Sequence, residues 1–293
     1  MLYTLENNHL KIAVETFGGE LQSVFSKKTG VEYLWQGDPK YWSGRAINLF
    51  PFIGRMYDGE FTYDGVSYPT RAHGLARYFE FRLESRSANR LVMLFTENEE
   101  TLREYPFRFE FRAIFELNEH ILTVRYEVTN TDGRTLICSF GGHPGINIPF
   151  DGGEFEDYYL EFSEKTNVQR QLLSESDRFM ADKAVPYELE NGVKLPLRHD
   201  LFDHDAIILG NTSRYVSIKS NTTKRSVAMR FDDFKFIGFW HPGNTDAQFV
   251  CLEPWGSLPG IDNTRVELET KPHMKRVPAG KTDGVSYTLE INE

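Results

Sequence analysis

The chain has 293 residues, 40% of them hydrophobic and 26% charged, the composition of an ordinary globular protein able to bury a large core. Its 43 acidic residues outnumber 33 basic ones, and the formal net charge of −10 argues against nucleic acid and anionic membranes as partners and makes a strongly anionic ligand less suited. The two cysteines, Cys138 and Cys251, lie inside apolar runs with no metal or redox spacing, and read as buried free thiols in a reducing cytoplasm.

Met1 to Glu6 lacks the charged-then-apolar pattern of a secretion signal, and no run reaches the length of a membrane span. A cytoplasmic protein is expected. From there on, β-formers dominate. His9 to Val14 starts a strand that Gly18-Gly19 breaks. Phe61-Thr62-Tyr63 and Val66-Ser67-Tyr68 flank Asp64-Gly65, a pair suited to a type I′ hairpin turn. Phe107 to Leu117 and Ile121 to Val128 read as long strands around Asn118-Glu119-His120. The one helical segment predicted is short, over 177–183. Tyr215 to Lys219, Ser226 to Phe231 and Lys235 to Trp240 read as a meander, and Gly284 to Ile291 as a last strand. The 23 Phe and 14 Tyr suit sheets packed face to face. With no linker, repeat or low-complexity tract, the expectation is all-β: one large single-domain antiparallel β-sandwich over residues 1–293.

Two segments carry the chemistry. Gly142-His143-Pro144-Gly145 and Leu252-Glu253-Pro254-Trp255-Gly256 each place an acid–base residue at the end of an apolar run, just before a proline expected to end the strand. A His and a Glu held this way suit a general acid and base. Trp255 offers a flat apolar face, and a carboxylate beside an indole can have a raised pKa. His73 lies in a polar loop after the hairpin, and Gly54-Arg55 just before it, so an imidazole and a guanidinium could share a rim. His199-Asp200-Leu201-Phe202-Asp203-His204-Asp205 crowds five potential metal ligands together, but nothing aims them at one point, and a solvated loop is the expected reading. His241-Pro242-Gly243 repeats the His-Pro-Gly pattern, and the sequence leaves open whether His241 or Trp240 meets a ligand. Phosphate-binding glycine loops, dinucleotide fingerprints, zinc-type His-Glu patterns and nucleophile elbows are all missing from the sequence.

Taken in order, Asn48-Leu49-Phe50-Pro51-Phe52-Ile53-Gly54-Arg55, Ala72-His73-Gly74, Gly142-His143-Pro144-Gly145-Ile146-Asn147, Phe202-Asp203-His204-Asp205-Ala206 and Cys251-Leu252-Glu253-Pro254-Trp255 resemble the aldose 1-epimerase (galactose mutarotase-like) family, in its shorter bacterial branch found with lactose and galactose genes. The resemblance implies an antiparallel β-sandwich with a sugar site on a concave sheet face. It implies an isomerase interconverting the anomers of a free aldohexose such as galactose or glucose, needing no cofactor and no metal. By position, Glu253 resembles the family's general base and His143 its general acid; Arg55 and His73 resemble sugar-positioning residues. A hydroxyl-binding Asp falls at Asp205 or Asp203, with Asp205 favoured because Asp-Ala enters a strand. Gly145-Ile146-Asn147 departs from the aromatic pair that better-known members carry there, which touches substrate choice. Three rivals remain: an epimerase of hexose 6-phosphates, for which Arg45, Arg55, Arg71 and Arg77 could gather phosphate; a non-catalytic sugar-binding or sensor module; and a polysaccharide lyase or glycoside hydrolase, for which Asp203 and Asp205 are the candidates for a second carboxylate across from Glu253. The expected partner is a small sugar, for a monomer or homodimer.

Overall fold

The computed structural model describes residues 1–176 and 178–293. Two large antiparallel sheets face one another. The nine-stranded sheet runs Lys194–Pro196, Tyr158–Phe162, Tyr215–Ser220, Ser226–Arg230, Thr282–Asn292, Ile121–Asn130, Phe109–Asn118, Arg90–Thr96, Arg82–Arg86. The seven-stranded sheet runs Met180–Pro186, Gln169–Leu173, Ile207–Gly210, Phe236–Trp240, Phe249–Trp255, Gly141–Asn147, Ala46–Leu49. One continuous core joins them: Phe111, Tyr126 and Leu289 from the first sheet pack with Ile207, Phe239 and Leu252 from the second. The predicted hairpin forms between Glu60–Tyr63 and Val66–Pro69, with Asp64 and Gly65 at φ 50° and 72°, as a type I′ turn requires. The only α-helix among the described residues is Thr101–Glu104. Among the described residues no helix is long and apolar enough to cross a membrane.

Three expectations need correction. The helix over 177–183 is not formed: residue 177 lies outside the described residues, and Met180–Pro186 is an edge strand paired with Gln169–Leu173. Cross-strand pairing overrides the local preference of Ala181, Lys183 and Ala184. The meander breaks after its second strand. Phe231 and Phe234 enter the core and carry the chain across the sandwich, so Phe236–Trp240 pairs with Ile207–Gly210 and Phe249–Trp255 in the opposite sheet. Finally, Pro144 and Pro254 do not end their strands but lie inside Gly141–Asn147 and Phe249–Trp255. The ladder between these two strands is registered at Gly141↔Trp255 and again at Gly145↔Cys251, and is interrupted between them, where the prolines lack a donor.

That interruption positions the chemistry. Midway between the Gly141↔Trp255 and Gly145↔Cys251 pairs, His143 falls opposite Glu253. Alternation then sends the two faces apart. Leu252 joins the core, and Gly142 faces it so closely that a Cβ there would stand 2.7 Å from the Tyr287 ring. His143, Glu253 and Trp255 point out of the other face.

Candidate active site

The outer face of the seven-stranded sheet is the floor of a cavity of ≈ 280 Å³. Ile47, Ile208 and Trp255 make its apolar base, within a cluster separate from the main core. His143 and Glu253 stand in it, 6% and 1% exposed. His143 Nε2 is 3.1 Å from Glu253 Oε2. The pair is close without being aligned: among the described residues, His143 Nδ1, Glu253 Oε2 and Trp255 Nε1 are buried polar atoms with no hydrogen-bond partner. Buried polar atoms are ordinarily satisfied, so three neighbouring cavity residues that each carry an unpaired one are unusual. Opposite Glu253 the neighbouring strand carries Gly238, where a Cβ would stand in ordinary contact, 3.4 Å, with Glu253 Cβ and with the Trp255 ring.

Burial sets the electrostatics. It pushes the Glu253 carboxyl well above the usual carboxylate range, helped by the nearby Asp205 charge and opposed by the Trp255 indole. It pushes His143 well below the usual histidine range, helped by His73 and Arg77. Both groups are driven toward neutrality, the pattern of a buried acid–base pair.

Loops supply the walls. Gly54 has φ 66°, and a Cβ there would lie 2.4 Å from Pro259 Cγ, so glycine is required for the turn that brings Arg55 to the rim. The same turn holds His73, whose N–H donates to the Gly54 carbonyl at 2.7 Å while the Gly54 N–H donates to His73 Nδ1 at 3.2 Å. That bond makes Nδ1 the acceptor. Enclosure, with Arg77 and Arg55 nearby, lowers the His73 pKa to about 3 and keeps the ring neutral. Its plane stands edge-on to His143, centroids 5.7 Å apart. Gly54→Ala should strain this turn and raise KM at least ~10-fold with little change in kcat, which steady-state kinetics will check.

The geometry separates the two aspartates. Asp205, at φ 63°, lines the cavity. Asp203 turns away and accepts the Asn244 N–H at 2.9 Å. The crowded 199–205 segment is dispersed: His199 stacks on Phe155, and Asp200 pairs with Arg198. Among the described residues, those that come within metal-binding reach of one another are instead His143, Cys251 and Glu253. His241 is fully buried behind the site, between the Pro242 carbonyl and His199, whereas its neighbour Trp240 lines the cavity. Trp255 is 4% exposed, so its ring is mostly floor.

Sequence reasoning passed over Trp42 and Arg178. Trp42 lies over His143, ring centroids 4.8 Å apart, and edge-on to Trp240. A Cβ at Gly44 would meet the Trp42 ring at 2.6 Å, so Tyr41-Trp42-Ser43-Gly44 held a signal in its glycine. Arg178 lines the cavity beside Arg55 and Arg77.

A β-sandwich with a buried His–Glu pair in a walled cavity on one sheet face defines a class of acid–base enzyme without a phosphate loop or nucleophile elbow. The comparisons name its family. The aldose 1-epimerase family model matches residues 1–265. Protein LacX (chromosomal) of Lactococcus lactis subsp. lactis is 35% identical over 306 aligned positions, covering 99% of each chain. A galactose mutarotase related enzyme of Lactobacillus acidophilus superposes with a TM-score of 0.94 at 32% identity, covering 100% of this chain and 98% of that one. A galactose mutarotase-like protein of Lactobacillus casei gives 0.94 at 28% identity with both chains fully covered. The chain belongs to the aldose 1-epimerase family, carbohydrate isomerases with the galactose mutarotase-like fold.

Proposed function

We propose that this protein, acting as one domain, interconverts the α and β anomers of a free aldohexose such as galactose or glucose. The observation that carries this reading is the buried His143–Glu253 pair, 3.1 Å apart, with polar atoms still to be matched. At rest, burial favours a protonated Glu253 and a neutral His143. Transfer of that proton to His143 creates a carboxylate and an imidazolium, each costly in this setting and therefore a strong base and a strong acid. Glu253 takes the proton of the C1 hydroxyl, the C1–ring oxygen bond breaks, and His143 protonates the ring oxygen. The pair is neutral again and the sugar is an open aldehyde. After rotation about C1–C2, Glu253 returns a proton to the aldehyde oxygen as the C5 hydroxyl attacks C1 and gives its proton to His143. Atoms, charge and protons balance without any further reactant. Arg55, His73 and Asp205 hold the sugar hydroxyls, with Trp42, Trp240 and the edge of Trp255 against its apolar faces.

The rim supports a second reading. Of the four arginines considered from sequence, Arg45 is committed to the Gln22 carbonyl and Gln36, and Arg71 to Glu100 and Glu104. Arg55 and Arg77 reach the cavity, and Arg178 joins them. Among the described residues none of these three has a carboxylate within ion-pair distance. They could receive a phosphate on the sugar carbon farthest from the reacting centre. Anomer exchange measured on α-D-galactose, α-D-glucose and their 6-phosphates decides between the readings. The first predicts the higher kcat/KM for the neutral sugars. A preference of ~100-fold or more for the phosphates, lost in Arg178→Ala, would replace it with the second.

A further inference from the structure

A lysine is buried behind the cavity wall. Lys271 is 9% exposed, and among the described residues no carboxylate lies within ion-pair distance of it. Its Nζ donates instead to the carbonyl oxygens of Leu258, at 2.8 Å, and Pro259, at 3.2 Å. Burial lowers its pKa to about 8. Burying an amine with no counter-charge is unfavourable, and a methionine would fill similar space without that cost. The bonds it makes are therefore the feature to explain.

Those bonds fall on the 258–260 strap, which has open space on both sides. Pro259 lines the ≈ 280 Å³ cavity on one side and a separate ≈ 400 Å³ cavity on the other, the latter bordered by Lys271 itself. Pro259 and Gly260 are buried and the Gly260 carbonyl accepts the Met180 N–H at 2.9 Å, so the strap is tied at Gly260, and the Leu258 and Pro259 carbonyls at its other end are held by Lys271. The sugar-facing turn rests on it. Pro259 packs against Gly54, and the Gly260 N–H donates to the Arg55 carbonyl at 2.7 Å. Gly54 in turn holds His73 through two hydrogen bonds. The His143–Glu253 pair owes its placement to strand register; His73 meets the His143 ring edge-on without a hydrogen bond to it.

We infer that Lys271 is a positioning residue: its Nζ pins the 258–260 strap and so seats Arg55 and His73 at the rim, while leaving the His143–Glu253 pair alone. The link to substrate rests on the reading of Arg55 and His73 as sugar-binding residues; the pin does not. Hydrogen–deuterium exchange of wild type, Lys271→Met and Lys271→Arg tests the pin without any sugar. In Lys271→Met, exchange should quicken ~10-fold or more at the amides of Gly260 and His73, and stay unchanged through Gly141–Asn147 and Phe249–Trp255. Lys271→Arg, which keeps the donors, should restore protection. Anomer-exchange kinetics then test the consequence: KM about 10-fold higher in Lys271→Met, kcat within about 2-fold, and KM recovered in Lys271→Arg. Unchanged exchange at both sites, or quickening that spreads through the two catalytic strands, would overturn the inference. So would a fall in kcat at constant KM. If Lys271→Met does not fold, Lys271→Gln is measured in the same way. A wild type without anomer-exchange activity would refute the proposed reaction, and the exchange data would still decide the pin.

Discussion

Glu253→Gln is expected to lose ~10²- to 10⁴-fold in kcat while gaining thermal stability. The loss follows because the amide keeps the shape of the side chain but cannot take the C1 hydroxyl proton. The gain follows from linkage. Glu253 is held well above its ordinary pKa of 4.5 in the fold, so the folded state binds its proton more tightly than the unfolded chain. Such a group's stabilising contribution is complete below pH 4.5 and is lost as pH rises toward the folded value. Above 4.5 the wild type therefore carries a cost that the glutamine does not. The Tm difference should be near zero well below pH 4.5 and widen above it to about 2 °C or more. Calorimetry across pH, beside the rate assay, checks both halves. A mutant that is inactive but less stable at neutral pH would mean that the carboxylate is part of a structural network.

His143→Asn is the second large effect, again ~10²- to 10⁴-fold in kcat. Since both residues handle the same proton, the double substitution should cost little more than either single one. The pH profile gives an independent check. Burial holds His143 well below 6.5, so a second proton enters the pair only in more acidic solution. Wild-type kcat/KM should therefore run level through pH 6.5, with its acid limb well below. A limb near 6.5, the value of a solvated imidazole, would show that His143 is not buried in the working enzyme.

Much of this was legible in the sequence because it is local. Asp64-Gly65 specifies its turn by backbone freedom alone, and Phe109–Asn118 with Ile121–Asn130 close on a short reversal at Glu119. The five motifs gave the family, and Arg55, His73, His143, Asp205, Glu253 and Trp255 from them line one cavity. What was not legible depends on pairing between distant segments. The prolines after His143 and Glu253 looked like strand ends, yet they occupy a gap in one ladder, and only the register of that ladder shows that the two acid–base residues stand opposite each other. The third strand of the apparent meander left for the other sheet because its neighbours Phe231 and Phe234 are core residues, which no local pattern reveals. Trp42, Arg178 and Lys271 act from loops whose positions are fixed by what they pack against, and Cys251 comes beside the pair by cross-strand placement rather than by spacing.

Polarimetry on freshly dissolved α-D-galactose and α-D-glucose, with catalytic amounts of wild type or Glu253→Gln, tests the central claim most directly. The account predicts that wild type speeds the approach to the same equilibrium rotation in proportion to enzyme concentration, and that the mutant leaves the spontaneous rate unchanged. Equal acceleration by both proteins, or acceleration by neither with these sugars and their 6-phosphates, would contradict it.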